Sequence, residues 1–396
     1  MGAPAEVVWD DALLGYDMGD QHPLNPIRLR LTVQLATELG VLAGVTPLRP
    51  EQATDELLER IHDAGYITAV RAAPGVRADE LAELDHGLGT PDNPIFPRMH
   101  EASALVVGGS VLAADLIATG AADRAVSISG GLHHAMPDHA AGFCVYNDCA
   151  VAISWLLDHG VERVAYVDVD VHHGDGVQTA FYDDPRVLTI SIHQHPRTLW
   201  PGTGYAREIG TGAGEGMAVN LPLPPGTTDR PWLRAFHAVA PSLLGAFQPQ
   251  VLVTQCGVDS HRNDPLADLS LTVDGHRAIY RSMRDLARRY TDGRWLALGG
   301  GGYDLVRVVP RSWTHLLATV LDRDVDPNTP LPAGWMSTVV PMVPRHIMLP
   351  ASMSDGADTD FEPWGGSVDD PVDMAVKDTR QAVFPLHGLD PDDPRD

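Results

Sequence analysis

Residues 163–176 read Arg-Val-Ala-Tyr-Val-Asp-Val-Asp-Val-His-His-Gly-Asp-Gly. The run is rich in β-branched side chains and ends in glycine, which is how a strand and its stop are written. Its apolar positions fall on both faces, as in a parallel sheet covered by helices on each side. Period two puts Asp168, Asp170 and His172 on one face. Buried carboxylates without a partner cost on the order of several kcal/mol, so a cation or a hydrogen-bonded histidine has to compensate them. A carboxylate and an imidazole two residues apart suit a divalent metal, since zinc takes O and N donors at about 2.0–2.2 Å.

Working outward, Ala125–Ser129, Val187–His193, Val251–Cys256 and Trp295–Leu298 have the same strand character, and the first run extends over Arg163–Val171. Helical spacing is found at Pro26–Leu39, Ala53–Ala64, Glu101–Thr119, Asp148–His159, Pro231–Phe247 and Val273–Tyr290. Strands alternating with helices predict an α/β fold with a parallel sheet, whose ligands gather at the carboxyl ends of the strands.

Three more of those ends carry chemistry. Gly130-Gly-Leu-His133-His134-Ala135 offers two adjacent imidazoles, each needing a partner to fix its tautomer, and Asp168 and Asp175 are candidates. Gln255-Cys-Gly-Val-Asp259-Ser260 supplies a carboxylate that completes an Asp170, His172, Asp259 set; three protein ligands and an open position describe a catalytic metal. Gly299–Gly302 followed by Tyr303 lets the backbone turn beside a ligand and offers a phenol to a developing oxyanion. Any one fragment is compatible with ordinary hydrogen bonding. Four at the ends of four strands point to one site.

These fragments, in this order, resemble the histone deacetylase superfamily, and within it the bacterial acetoin utilisation deacetylases. The similar stretches also include His22-Pro-Leu-Asn-Pro-Ile-Arg28, Gly142-Phe-Cys-Val-Tyr-Asn-Asp148 and Pro201-Gly-Thr-Gly204, and they span roughly residues 6–320. The resemblance implies a three-layer α/β/α fold with an eight-stranded parallel sheet, shared with arginases. It implies Zn²⁺ held by Asp170, His172 and Asp259, with Fe²⁺ accommodated equally by that donor set. Catalytic roles fall to His133, His134 and Tyr303, with Asp168 orienting His133 and Asp175 orienting His134. Gly142, Phe143, Trp200 and Leu266 become walls of an acyl-lysine channel, and Arg28 the internal arginine behind it. A potassium ion is implied near backbone oxygens of Asp168, Asp170 and His172 with Ser191.

Departures from the family pattern matter. The rim aspartate of many relatives is sought in Arg98-Met-His-Glu-Ala102, where His100 or Glu101 would replace it, and Trp200 stands where phenylalanine is common. Leu266 is apolar where polyamine-selective relatives carry an acid, which favours acyl-lysine. Arginases use an Asp-x-Asp pair where this chain has Asp259-Ser-His261, so one metal per chain is expected. The substrate is then an acetylated protein, acetyl-coenzyme A synthetase by analogy, or a small acetylated amine such as an acetylpolyamine.

Composition bounds the rest. The 396 residues carry 53 acidic and 28 basic side chains, a net charge of −25, which repels nucleic acid and anionic membrane surfaces. Three cysteines without CxxC spacing, and no signal-peptide pattern at the N-terminus, fit a cytoplasmic enzyme. Residues 1–325 read as the catalytic domain and 326–396 as an acidic, Pro/Asp-rich extension. Within it, residues 351–396 hold 12 acidic and 3 basic side chains, too little apolar material for a core of their own, so this segment is expected to lie on the surface or be disordered.

Overall fold

The computed structural model describes residues 4–77 and 85–396. Among them one all-parallel sheet has seven strands: β1 (Ala5–Val7), β2 (Arg124–Ser127), β3 (Val164–Asp168), β4 (Val187–Gln194), β5 (Ala218–Leu223), β6 (Val251–Gln255) and β7 (Trp295–Leu298), in the order β1-β2-β7-β6-β3-β4-β5. The resemblance implied eight. Beside β1 the pairing is a single parallel bridge, Val8 to Leu48, and the prolines flanking it at 47 and 50 have no N–H to extend a ladder.

Alternation along the strands builds the three layers. Ala125, Val164, Tyr166, Val253 and Leu298 pack on one side with α4 (Met99–Ala118) and α5 (Asp148–Asp158). Val126, Ala165, Val167, Leu252 and Ala297 pack on the other with α7 (Asp229–Phe247), α8 (Val273–Tyr290) and α9 (Val309–Val320). The remaining helices are α1 (Ile27–Glu38), α2 (Asp55–Leu58), α3 (Ala64–Ala72), α6 (Asp175–Ala180), α10 (Ala333–Val339) and α11 (Pro371–Val383). Of the helix expected at 53–64 only the four-residue α2 forms; Asp63 is extended and α3 starts after it. Helix α4 is the one described helix long and apolar enough to cross a membrane, and most of its apolar stretch is buried in the core.

Register matters most for function. Asp168 pairs with Gln255, Gln255 with Leu298, and Leu298 with Ser127, so β3, β6, β7 and β2 end on one level row. The four motif loops leave from that row.

The extension differs from the expectation. Trp335 of α10 donates its indole N–H to the Leu31 carbonyl, and α11 lies along β5 and α7, where Thr379 bonds the Asn220 carbonyl of that edge strand. Trp364, Val372, Val376, Val383 and Phe384 are buried in the main core, and Leu331, Trp335, Val339 and Met353 form a small cluster with Leu31 and Leu35 of α1. Arg380, fully buried between Trp364 and Phe384, donates to the carbonyls of Ala238, Asp390, Pro391, Asp393 and Asp396.

Candidate active site

Strand β3 stops at Asp168, so Asp170 and His172 are not aligned by strand period as the sequence suggests. They are placed by successive side-chain turns: Asp170 N–H donates to Asp168 Oδ1 (3.1 Å) and His172 N–H to Asp170 Oδ1 (3.0 Å), the backbone-mimicking bond that Asp makes two residues on. Asp259 enters from the loop after β6 and accepts from Val171 N–H at 2.9 Å. Gln255 Nε2 and Gly301 N–H each donate to Asp170 Oδ2 at 2.8 Å, tying the β6 and β7 loops to the same carboxylate.

His172 Nδ1 lies 3.1 Å from both Asp170 Oδ1 and Asp259 Oδ2. All three residues are buried, and among the described residues they form the one cluster with metal-ligand spacing. Burial alone would push the His172 pKa down, yet hydrogen bonds to the two carboxylates raise it to about 10, so the pocket's field calls for positive charge. One nitrogen and two oxygens converging there fit a divalent cation. His261 does not add a ligand: its Nε2 bonds Asp355 at 2.8 Å and its Nδ1 accepts from Asn263 N–H.

The paired histidines sit beside this trio. His133 Nδ1 is 2.7 Å from Asp168 Oδ2, His134 Nδ1 is 2.7 Å from Asp175 Oδ1, and their Nε2 atoms are 3.0 Å apart. Both dyads are the ones the sequence suggested. Burial lowers both pKa values, but Asp168 and Asp170 carry His133 up to about 9, whereas the charge of His133 adds to burial at His134 and takes it down to about 4. The two imidazoles are thus pushed in opposite directions, His133 toward the charged form and His134 toward the neutral one. The loop that presents them is held by Asp148, which accepts from the N–H groups of Gly131 and Leu132 and from Ser110.

A channel of about 200 Å³ leads to this floor, lined by Asp92, His134, Gly142, Phe143, His172, Leu199, Trp200, Leu266 and Tyr303. A Cβ at Gly142 (φ +52°) would meet His134 at 2.5 Å and Trp200 at 2.6 Å, so only glycine fits there. Phe143 takes a left-handed backbone (φ +68°), held by the Tyr16 hydroxyl donating to its carbonyl at 2.8 Å, and its ring meets Tyr303 edge to face. Burial, with Asp259 and Asp170 nearby, pushes the Tyr303 phenol up, so it stays a donor. Arg28 lies behind the glycine turn, donating to the Gly300 and Gly302 carbonyls at 2.8 and 3.1 Å. Ser191 is opposite Asp168 on β4, its Oγ beside His193 Nδ1.

Two residues escaped sequence reasoning. The carboxylate at the mouth is Asp92, while His100 is turned inward to the Tyr146 hydroxyl and neither it nor Glu101 lines the channel. The Pro-Asp-Asn-Pro turn at 91–94 was the available signal. Asp264 accepts from Tyr303 N–H at 2.8 Å and from Leu266 N–H at 3.0 Å, fixing the phenol and one channel wall together. Burial, then Asp259, pushes its pKa up to about 8.

Comparison with known proteins agrees with this geometry. Residues 22–320 match the family described as histone deacetylase domain. The chain is 41% identical over 343 residues to the acetoin utilization protein AcuC of Bacillus subtilis, covering 87% of this chain and 88% of that one. It is 39% identical to AcuC of Staphylococcus aureus, over 83% and 85% of the two chains, and 38% identical to AcuC of Staphylococcus xylosus, over 90% and 91%.

Proposed function

From the premise that the chain belongs to the histone deacetylase family and is a deacetylase, a hydrolase of amide bonds, we propose that it removes acetyl groups from lysines of other proteins, in a cytoplasmic role tied to acetoin utilisation. The observation that carries this is the channel lined by His134, His172 and Tyr303, beside the Asp170, His172, Asp259 cluster, with Asp92 also in its lining. Its apolar walls, Phe143, Leu199, Trp200 and Leu266, suit an acylated aminoalkyl chain, and the nearby Asp92 carboxylate suits the N–H groups of a peptide backbone.

Asp170, His172 and Asp259 would hold Zn²⁺, or Fe²⁺ on the same donors. The ion supplies Lewis acidity and a water of lowered pKa. His134 would take the proton from the water that attacks the acyl carbon, while His133 would contribute positive charge beside it. The Tyr303 hydroxyl donates to the acyl oxygen as negative charge develops there. His134 then returns the proton to the leaving lysine nitrogen, giving acetate and a free amine. Asp168 and Asp175 keep both imidazoles oriented, and Arg28 holds the glycine turn behind Tyr303. We assign Ser191 and the backbone oxygens of Asp168, Asp170 and His172 to K⁺. Residues 326–396 serve as an accessory lobe on the 1–325 catalytic domain.

The test compares an acetyl-lysine peptide with an acetylpolyamine on one metal-analysed preparation. Acetate release from the peptide with one metal per chain is the expected result. Turnover of the polyamine alone, which the net charge of −25 would favour, replaces the substrate assignment by the small-amine reading.

A further inference from the structure

Beside the channel lies a groove of about 290 Å³, and Tyr303 lines both. The next wall is shared in the same way: Leu266 faces the channel and Pro265 the groove. One side of the groove comes from the catalytic loops, through Pro265, Leu305 and Val306; the other comes from the extension, through Met342, Pro344 and Ile347. Its charged members, Asp304 and Arg307, are bonded to each other at 2.7 Å, so the lining carries no net charge.

Among the described residues seven large apolar side chains are exposed. Two of them stand in these walls, Trp200 in the channel and Met342 in the groove; Val340 and Met348 are near Met342 in sequence, and Val368, Met374 and Leu386 lie in neither lining. Exposed Trp200 in the channel and exposed Met342 in the adjoining groove leave apolar surface on both sides of Tyr303.

We propose that this groove is a subsite for a large apolar side chain of the substrate protein, within three residues of the acetyl-lysine. The proposal rests on the acetyl-lysine reading above. Continuity through Tyr303 selects the occupant: an extended peptide advances about 3.3–3.6 Å per residue, so neighbours of a lysine seated in the channel pass over the adjoining groove. Unbranched, polarisable Met342 adapts its shape to differing apolar side chains.

The experiment measures kcat/KM for glycine-flanked acetyl-lysine peptides with Phe placed singly at each position within three residues, alongside free Nε-acetyl-lysine. Wild type is expected to gain about tenfold at one or more positions, through KM, as burial of a ring predicts. Met342→Asp, at an exposed position, should abolish that gain and leave free acetyl-lysine turnover within about twofold. Equal rates for Phe and Gly peptides, a gain that survives Met342→Asp, or an equal fall for free acetyl-lysine would each overturn the subsite. If every acetyl-lysine substrate is inert and an acetylpolyamine reacts, the underlying reading fails instead, a pattern distinct from all of these.

Discussion

Two acidic regions of this chain end differently. At the strand ends, Asp170 and Asp259 converge on His172 in a buried pocket with no arginine or lysine bonded to them. In the extension, carboxylates are just as dense but each cluster meets protein donors: Asp355 pairs with Arg311 and His261, Asp370 and Asp373 with Arg234, and Lys377 with Asp392. Acidity alone marks no site. What marks one is buried negative charge whose only ion-pair partners are imidazoles, side chains able to share it with a cation.

The sharpest way to break that contrast is Asp259→Ala. Loss of the bound metal and a fall in kcat/KM of about a thousandfold or more are expected, read by metal analysis and kinetics on one preparation. Retained metal with full activity would remove the distinction between the regions. Arg380→Ala in the extension should instead lower stability by about 3 kcal/mol, since it strands the buried Ala238 carbonyl and unties the C-terminal turn, while kcat at 25 °C stays near wild type; thermal unfolding checks it.

Stability against pH probes the buried histidines outside the site. Burial pushes His62 and His315 down to about 4, so the fold keeps them neutral while the unfolded chain binds protons below about 6.5. Their contribution turns against the fold as pH falls from about 6.5 to 4, by up to about 3 kcal/mol each. Asp355 has the opposite origin: burial alone would raise its pKa, but His261 and Arg311 hold it well below the carboxylate range. The stability it adds is complete above about pH 4 and drains away below that. Urea titrations at pH 7, 5 and 3.5 should show two successive losses, and a flat profile from 7 to 5 would contradict the histidine assignment.

A smaller effect is expected at Asp264→Asn. The amide oxygen can keep only one of the two backbone bonds, since the NH2 group cannot accept the other, so Tyr303 or Leu266 loosens; kcat should fall about tenfold with metal content unchanged and KM little altered. Smallest of all, Asp370→Asn at a partly exposed ion pair should cost about 1 kcal/mol or less and leave kinetics alone.

The strand-end motifs were legible because their chemistry is local: Asp168 through Gly176 announces strand, stop and ligands within fourteen residues of Arg163. Less legible was how Asp170 and His172 are aimed, which depends on side-chain turns rather than the strand period. β5 was hidden by Asn220 and Pro222, and β1 by its three-residue length. α11 could not be placed because five apolar residues say nothing of which core receives them. Asp92 was missed since a turn sequence specifies its own bend, not the channel it borders.

The level row formed by the ends of β2, β7, β6 and β3 also makes the centre a gauge of correct assembly. A slip of one residue in the β3–β6 pairing would carry Asp170 and His172 about 3.3 Å along the sheet relative to Asp259. Metal–ligand distances tolerate only about 0.2 Å. Tight ion capture is therefore available to a single register, and a misaligned chain is silent to the metal long before it is visibly misfolded.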